Sequence, residues 1–122
     1  MATMSRTELQ SRTKQFGIRV IRLCDALPKS RSANVIANQL MRSATSVGAN
    51  YRSASRARSK ADWINKLGVV IEEADESGFW LELVVDIGLM VESKVSALKK
   101  EANELVAIFT ASQMTSRRAA GK

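Results

Sequence analysis

The stretch that decides the fold is QLMRSATSVGANY, residues 39–51. In and just before this stretch every third or fourth residue is apolar, which is the spacing of one face of an α-helix. These apolar positions are Ile36, Leu40, Ala44, Val47 and Tyr51. A second row at the same spacing is small and polar, and consists of Gln39, Ser43, Ser46 and Asn50. Lys and Glu would suit a solvated face better. We therefore predict that the polar row is a buried seam, hydrogen-bonded to a neighbouring helix.

The first half of the chain predicts two helices. Ser5 and Glu8 form a capping box, and the apolar spacing that follows predicts a helix that ends before Pro28. The helix that carries the polar row runs from about residue 33 to about residue 55, after a polar connector in which Ser30 or Ser32 is the cap.

The second half predicts two more helices. Ser59 with Asp62 is another capping pattern, and the helix after it extends to about Val91. Its predicted inward stripe consists of Ile64, Leu67, Ile71, Ala74, Gly78, Leu81, Val85 and Gly88. The last helix begins at Ser93 or Ser96. Its stripe consists of Leu98, Ala102, Leu105 and Phe109.

The chain of 122 residues is predicted to be one all-α domain. One Pro, six Gly, few aromatic residues and no strand pattern favour helices throughout. Short connectors between long helices predict an antiparallel, up-down-up-down four-helix bundle. We assign residues 1–114 to the bundle, and residues 115–122 are predicted to be a basic, disordered tail.

The composition excludes most enzymatic mechanisms. The chain has no His, which removes general acid–base catalysis near neutral pH and the nucleophile pairs that depend on it. Cys24 is the single cysteine, so an internal disulfide is excluded and a reducing compartment is favoured. We expect no enzymatic activity, no cofactor and no bound metal. The acidic residues Glu72, Glu73, Asp75 and Glu76 are interpreted as a solvated face that pairs with arginines of neighbouring helices.

The sequence contains no apolar run of signal-peptide or membrane-spanning length. A cytoplasmic protein without membrane contact is the resulting expectation.

Positive charge is concentrated in the first half of the chain. The net charge is +7; residues 1–60 hold twelve Lys or Arg and two acids, and residues 61–114 hold four Lys and ten acids. The halves attract each other, so part of the excess is expected to pair internally, and the remainder suits phosphate. The nucleic-acid-binding candidates are Arg12, Arg19, Arg22, Arg52, Arg56 and Arg58. The alternative for each is an ion pair within the bundle, and Arg42 is a weaker candidate because it lies beside the polar row.

The third predicted helix has a second apolar stripe, consisting of Trp80, Leu83, Ile87 and Val91. A monomer would expose this stripe, so we predict that it is a self-association surface. The alternative is a gradual drift of the apolar face along a long helix. Ile18 and Ile21 also leave the main seam of the first helix.

Three stretches, residues 39–50, 59–67 and 73–83, resemble a known family. They are similar to the signatures of the four helix bundle proteins that are also called 23S rRNA-intervening sequence proteins, in which a Gln, an Arg, a Ser and an Asn recur at the offsets of the first stretch. One departure stands out. Ser53 and Ala54 occupy positions where the family commonly has a Glu-Gly pair, which favours a longer, less interrupted second helix.

The resemblance implies an antiparallel bundle that assembles into a ring-like homopentamer. One branch of the family comprises accessory proteins of diversity-generating retroelements, which are basic barrels that associate with a reverse transcriptase and nucleic acid. From the charge and the resemblance together we expect a non-enzymatic, oligomeric scaffold that binds RNA or DNA with little sequence preference, with a reverse transcriptase as the implied protein partner. The alternative is a protein–protein interaction adaptor without a nucleic-acid role.

Overall fold

Four α-helices make up the computed structural model, which describes residues 4–120. They are α1 (Arg6–Asp25), α2 (Arg31–Ala54), α3 (Lys60–Asp86) and α4 (Glu92–Ala120). Residues 4–120 contain no strand, so the all-α prediction is confirmed. The packing is that of a bundle in which α2 lies against α1 and α3, α4 lies against α3, and α1 meets α4 only sparsely. None of the described helices is long and apolar enough to cross a membrane.

Serine N-caps begin the first three helices. In each cap the Oγ accepts a hydrogen bond from the backbone N–H three residues later, at 3.1–3.2 Å. These caps are Ser5, Ser30 and Ser59. The bond satisfies one of the backbone donors that every helix start leaves free. Ser30 was one of the two predicted caps for α2, and because it is the one used, the helix begins at Arg31 rather than near residue 33.

The end of α3 differs from the prediction. Gly88 has φ +76°, its N–H donates to the Val85 carbonyl at 3.0 Å, and the Leu89 N–H donates to the Val84 carbonyl at 2.9 Å. This pair of bonds is a Schellman motif, which ends a helix at a residue in the left-handed region. The predicted extension to about residue 91 is therefore wrong, and α4 begins at Glu92.

One core joins the four helices. Its largest fully buried side chains include Phe16, Leu40, Tyr51, Leu67, Leu81, Leu105 and Phe109. The buried face of α3, which packs against both α2 and α4, is rotated around the helix relative to the predicted stripe. It buries Val70, Ser77 and Val84 toward the core, whereas the predicted Ile71, Gly78 and Val85 are only half-buried.

The C-terminal segment continues α4. Residues 115–120 were predicted to be disordered, but they are helical, and residues 121–122 lie outside the described part of the chain. The last turns are held against the start of α3. Gln113 Nε2 donates to the Ile64 carbonyl at 3.1 Å, and the Trp63 Nε1 donates to Ser116 Oγ at 2.9 Å.

Candidate nucleic-acid interface

Arg12 links α1 to α4. Its Nε and Nη2 donate to the two carboxylate oxygens of Glu101, both at 2.7 Å, and Nη2 also donates to Glu104 at 2.8 Å. This fork-to-fork geometry is the strongest form of Arg–carboxylate pairing. The hydrogen bonds that Arg12 donates to Glu101 raise the pKa of the Arg12 guanidinium above its ordinary value. Arg12 therefore takes the internal pairing that was its alternative, and we remove it from the phosphate contacts.

Arg42 links α2 to α3. Its guanidinium bonds the carboxylates of Glu73, at 3.2 Å, and Glu76. The Trp80 Nε1 donates to the same Glu76 at 3.0 Å, and this bond, followed by those from Arg42, lowers the pKa of the Glu76 carboxyl. Two members of the acidic group 72–76 are thus engaged by an arginine, as interpreted from the sequence, while Glu72 and Asp75 are exposed.

The five remaining candidate arginines lie at three places. Arg19 and Arg22 line a groove between α1 and α4, together with Lys94. Arg52 and Arg56 line a groove between α1 and α2. Arg58 lines a cavity at the end of the bundle where α1 and α3 begin and α2 ends. Within residues 4–120 none of these five guanidinium groups has a carboxylate oxygen within 4.0 Å.

The end cavity brings Arg58 together with two cations that the sequence pattern did not single out, Arg6 and Lys60. It has a volume of about 1000 Å³ and is lined by Arg6, Arg58, Lys60 and Trp63 among others. The Arg6 guanidinium carbon lies 4.7 Å from the centre of the Trp63 ring, a cation–π contact. Trp63 in turn bonds Ser116, so the next two residues of α4 lie at this end of the bundle as well. We call the group consisting of Arg6, Arg58, Lys60, Arg117 and Arg118 the cationic end.

Few acids offset the cationic end. Asp62, in the first turn of α3, forms an ion pair with Lys66 at 3.2 Å and accepts the Arg58 backbone N–H at 3.3 Å. In the part of the chain that the structure describes, no side chain of the cationic end forms an ion pair. Sequence spacing could not show this group, because its members come from the starts of α1 and α3, the end of α4 and the connector between α2 and α3.

The polar row of α2 is only partly a seam. Ser43 is fully buried, and its Oγ lies 3.1 Å from Ser77 Oγ of α3, within hydrogen-bonding distance. The other three members are half-buried and bond within α2 or not at all in residues 4–120. Gln39 Oε1 accepts from Arg42 Nε at 3.2 Å, and Asn50 Nδ2 donates to the Ser46 carbonyl at 2.8 Å. Cross-helix bonding therefore holds for Ser43 and not for Gln39, Ser46 or Asn50.

The predicted self-association stripe divides into two parts. Trp80 and Leu83 are half-buried against the core, whereas Ile87 is 49% exposed and Val91 is 62% exposed. Phe79 was not predicted, yet it is 52% exposed and its ring lies 5.1 Å from that of Trp80. Phe79 is the most exposed large apolar side chain of α3. The helical phase assigned Phe79 to neither stripe, and for that reason it was missed.

The fold and its charges define a class, the small all-helical bundle proteins with a cationic surface. The chain belongs to the family of 23S rRNA-intervening sequence proteins, whose family model matches residues 6–111. This confirms the resemblance found in the sequence. A crystal structure from Bacteroides thetaiotaomicron, of a protein with unknown function from the S23 ribosomal protein family, is 29% identical with a TM-score of 0.83, and the match covers 91% of this chain and 99% of that one. No curated protein matches the chain.

Proposed function

We propose that this protein is a non-enzymatic, homo-oligomeric scaffold that binds RNA or DNA through the phosphate backbone in the cytoplasm. The observation that carries the proposal is the cationic end. Arg6, Arg58 and Lys60 line one cavity, and Arg117 and Arg118 follow Ser116 at the same end of the bundle. None of these five side chains forms an ion pair among residues 4–120. An unpaired cluster of this kind keeps its charges available for an anionic partner.

Binding through this surface would depend little on base sequence. Lys and Arg that project from helix ends contact phosphate, which positions a nucleic acid without reading its bases. Each phosphate that is neutralised releases counterions, so affinity falls as salt rises. Arg also offers a planar fork that suits phosphate, and four of the five cations are Arg.

Assembly would strengthen the surface. We propose an antiparallel, up-down-up-down bundle whose copies join in a ring. The expected number of copies is five, as the family resemblance implies. Cyclic symmetry brings the same end of every copy to the same height along the axis, so the cationic ends would form one continuous belt. The fields of the copies then add, and a weak patch becomes a strong one. A reverse transcriptase is the protein partner suggested by the retroelement branch of the family.

The test compares two variants that lose the same charge at different places. Arg58→Gln/Lys60→Gln removes two charges from the cationic end, and Arg19→Gln/Arg22→Gln removes two from the α1–α4 groove. Binding is measured by fluorescence anisotropy with single-stranded RNA and DNA of two unrelated sequences over a salt series. The first variant should bind all probes more weakly and show a flatter salt dependence, by about 0.7 in slope per phosphate lost on each copy. The second should bind like the native protein.

Two outcomes would contradict the proposal. A larger loss in the Arg19→Gln/Arg22→Gln variant would move the site to the α1–α4 groove. No binding by the native protein at about 50 mM salt, where phosphate contacts are strong, would reject the nucleic-acid role and favour the protein adaptor.

A further inference from the structure

We propose that copies of this chain join head to tail, with the outer face of α3 in one copy docked into the groove between α1 and α2 of the next. The inference rests on the homo-oligomeric scaffold proposed above and names the two surfaces that would build it. The outer α3 face consists of Glu72, Asp75, Phe79, Glu82 and Asp86. The α1–α2 groove is lined by Lys14, Ile18, Ile21, Arg52 and Arg56, with small residues between them.

Close packing of α1 on α2 shapes the groove. A Cβ atom at Gly48 would lie 3.4 Å from the backbone of Thr13 and Lys14, so the two helices approach each other almost backbone to backbone. Small residues such as Gly17 and Ala49 line the groove, which has a volume of about 550 Å³. A cleft with small walls can accept a large side chain from outside.

The groove has an apolar floor and a cationic rim. Ile18 and Ile21 are half-buried along it, and these are the two residues of α1 that left the main seam in the sequence. Lys14, Arg52 and Arg56 border them, and none of the three has an ion pair within residues 4–120. The groove is therefore suited to an apolar residue with negative charges around it.

The outer face of α3 has that composition. Phe79 is 52% exposed at its centre, and the four acids around it are exposed without an ion pair in the described chain. At the helical repeat of 100° per residue these five side chains fall within roughly an 80° arc. One face of one helix thus presents a large aromatic side chain framed by carboxylates.

Charge complementarity identifies the occupant as a second copy. Of the cations in residues 4–60, only Arg12 and Arg42 form ion pairs with acids of the second half. Most of the basic residues of the first half and several acids of the second half therefore have no ion-pair partner within residues 4–120 of the same copy. A nucleic-acid strand would match the rim of the groove but not the two isoleucines of its floor. The two surfaces differ, so the contact is heterologous, and a heterologous contact forms a ring when its rotation closes.

The experiment disables one surface at a time. Arg52→Glu/Arg56→Glu reverses the rim of the groove and leaves the α3 face intact, and Phe79→Glu does the opposite. Solution mass is measured by multi-angle light scattering at about 10 µM, a concentration at which a standard-size interface is expected to hold. The native protein should show several times the chain mass of 13.4 kDa, and each variant should fall to the chain mass. Far-UV circular dichroism establishes that both variants are folded.

Mixing the two variants distinguishes this interface from others. An equimolar mixture retains one sound groove and one sound α3 face per pair, so it should give twice the chain mass and no more. The matched control is Arg19→Glu/Arg22→Glu, which reverses the same number of charges in the α1–α4 groove and should keep the native mass.

Three results would overturn the inference. Variants that keep the native mass, or a mixture that stays monomeric, would reject this docking and leave the oligomeric scaffold standing. A native protein that is monomeric would reject both. If Arg52→Glu/Arg56→Glu keeps its mass but loses nucleic-acid binding, the groove takes phosphate and not a second copy.

Discussion

The hydroxyl oxygens of Ser43 on α2 and Ser77 on α3 lie 3.1 Å apart, and both side chains are fully buried. Each hydroxyl also lies beside a carbonyl of its own helix, Leu40 at 3.2 Å and Glu73 at 2.8 Å. Because a hydroxyl both donates and accepts, the two serines can satisfy each other across the helix interface. The pair therefore fixes the relative position of α2 and α3 without leaving a buried polar atom unpaired.

We expect the two serines to be energetically coupled. Ser43→Ala and Ser77→Ala should each lower the free energy of unfolding by about 1 kcal/mol, and the double variant by less than the sum. Urea denaturation of the four proteins measures the coupling. Ser46→Ala, at a half-buried position of the same row, is the control and should be nearly neutral. Strict additivity would show that the hydroxyls do not interact.

The Arg12 ion pair should contribute to stability and not to nucleic-acid binding. Arg12→Ala leaves Glu101, whose side chain is only 13% exposed, without its partner, and should cost about 1–3 kcal/mol. Arg12→Lys should recover little of this, because an ammonium cannot make the bidentate bond. Arg19→Ala is the matched control on the same helix. A fall in nucleic-acid affinity at unchanged stability would return Arg12 to the phosphate contacts.

Gly88 and Gly78 should respond in opposite ways to alanine. Gly88 has φ +76°, so Gly88→Ala should destabilise the protein by about 1–2 kcal/mol. Gly78 lies within α3, and an added Cβ would meet Ala102 Cβ at an ordinary contact distance of 3.9 Å. Gly78→Ala should therefore stabilise by up to about 1 kcal/mol through helix propensity. Thermal melting of both variants tests the pair, and a loss at position 78 equal to that at 88 would show that backbone conformation is not the cause.

Cys24 should make stability fall at alkaline pH. Burial raises the pKa of its thiol from 9.0 to about 11. The folded pKa lies above the unfolded one, so the contribution is complete below about pH 9 and is lost as the pH rises toward 11. The loss should reach about 2–3 kcal/mol relative to Cys24→Ala, which cannot ionise. Denaturation of both proteins at pH 8 and pH 11 gives the difference between their free energies of unfolding at each pH. This difference would be the same at both pH values if the thiol were accessible to solvent.

Local signals in the sequence were sufficient for the starts of the first three helices. Ser5 and Ser59 cap α1 and α3 as their spacing indicated, and Ser30 is the one of the two candidate serines that caps α2. The signal is local because a cap depends on residues within one turn. The end of α3 was missed for a related reason. Gly88 fits a continued apolar stripe equally well, and only the backbone shows that it takes the left-handed conformation at which the helix ends.

Contacts between residues of different helices could not be predicted from the sequence patterns. Arg12 and Glu101 are 89 positions apart, and nothing in either neighbourhood indicates the bond between them. The cationic end combines residues from three helices and the connector between α2 and α3, so patterns within single helices indicated Arg58 but not Arg6 or Lys60. Asn50 was expected to bond across helices, but its Nδ2 donates to the Ser46 carbonyl of its own helix at 2.8 Å. A short side chain reaches a backbone carbonyl of its own helix more easily than a partner on a neighbouring helix.

The sparse contact between α1 and α4 makes stability uneven along the chain. The helices α2, α3 and α4 pack in a continuous series, α2 against α3 and α3 against α4. In contrast, α1 packs chiefly against α2, and its link to α4 consists mainly of the Arg12 ion pairs. Local opening should therefore begin with α1, whose amide protons should exchange with solvent before those of the other three helices. Because α1 detaches first, it is also the element that two copies can exchange by domain swapping. Partial denaturation followed by refolding at high concentration should therefore favour dimers that have swapped α1.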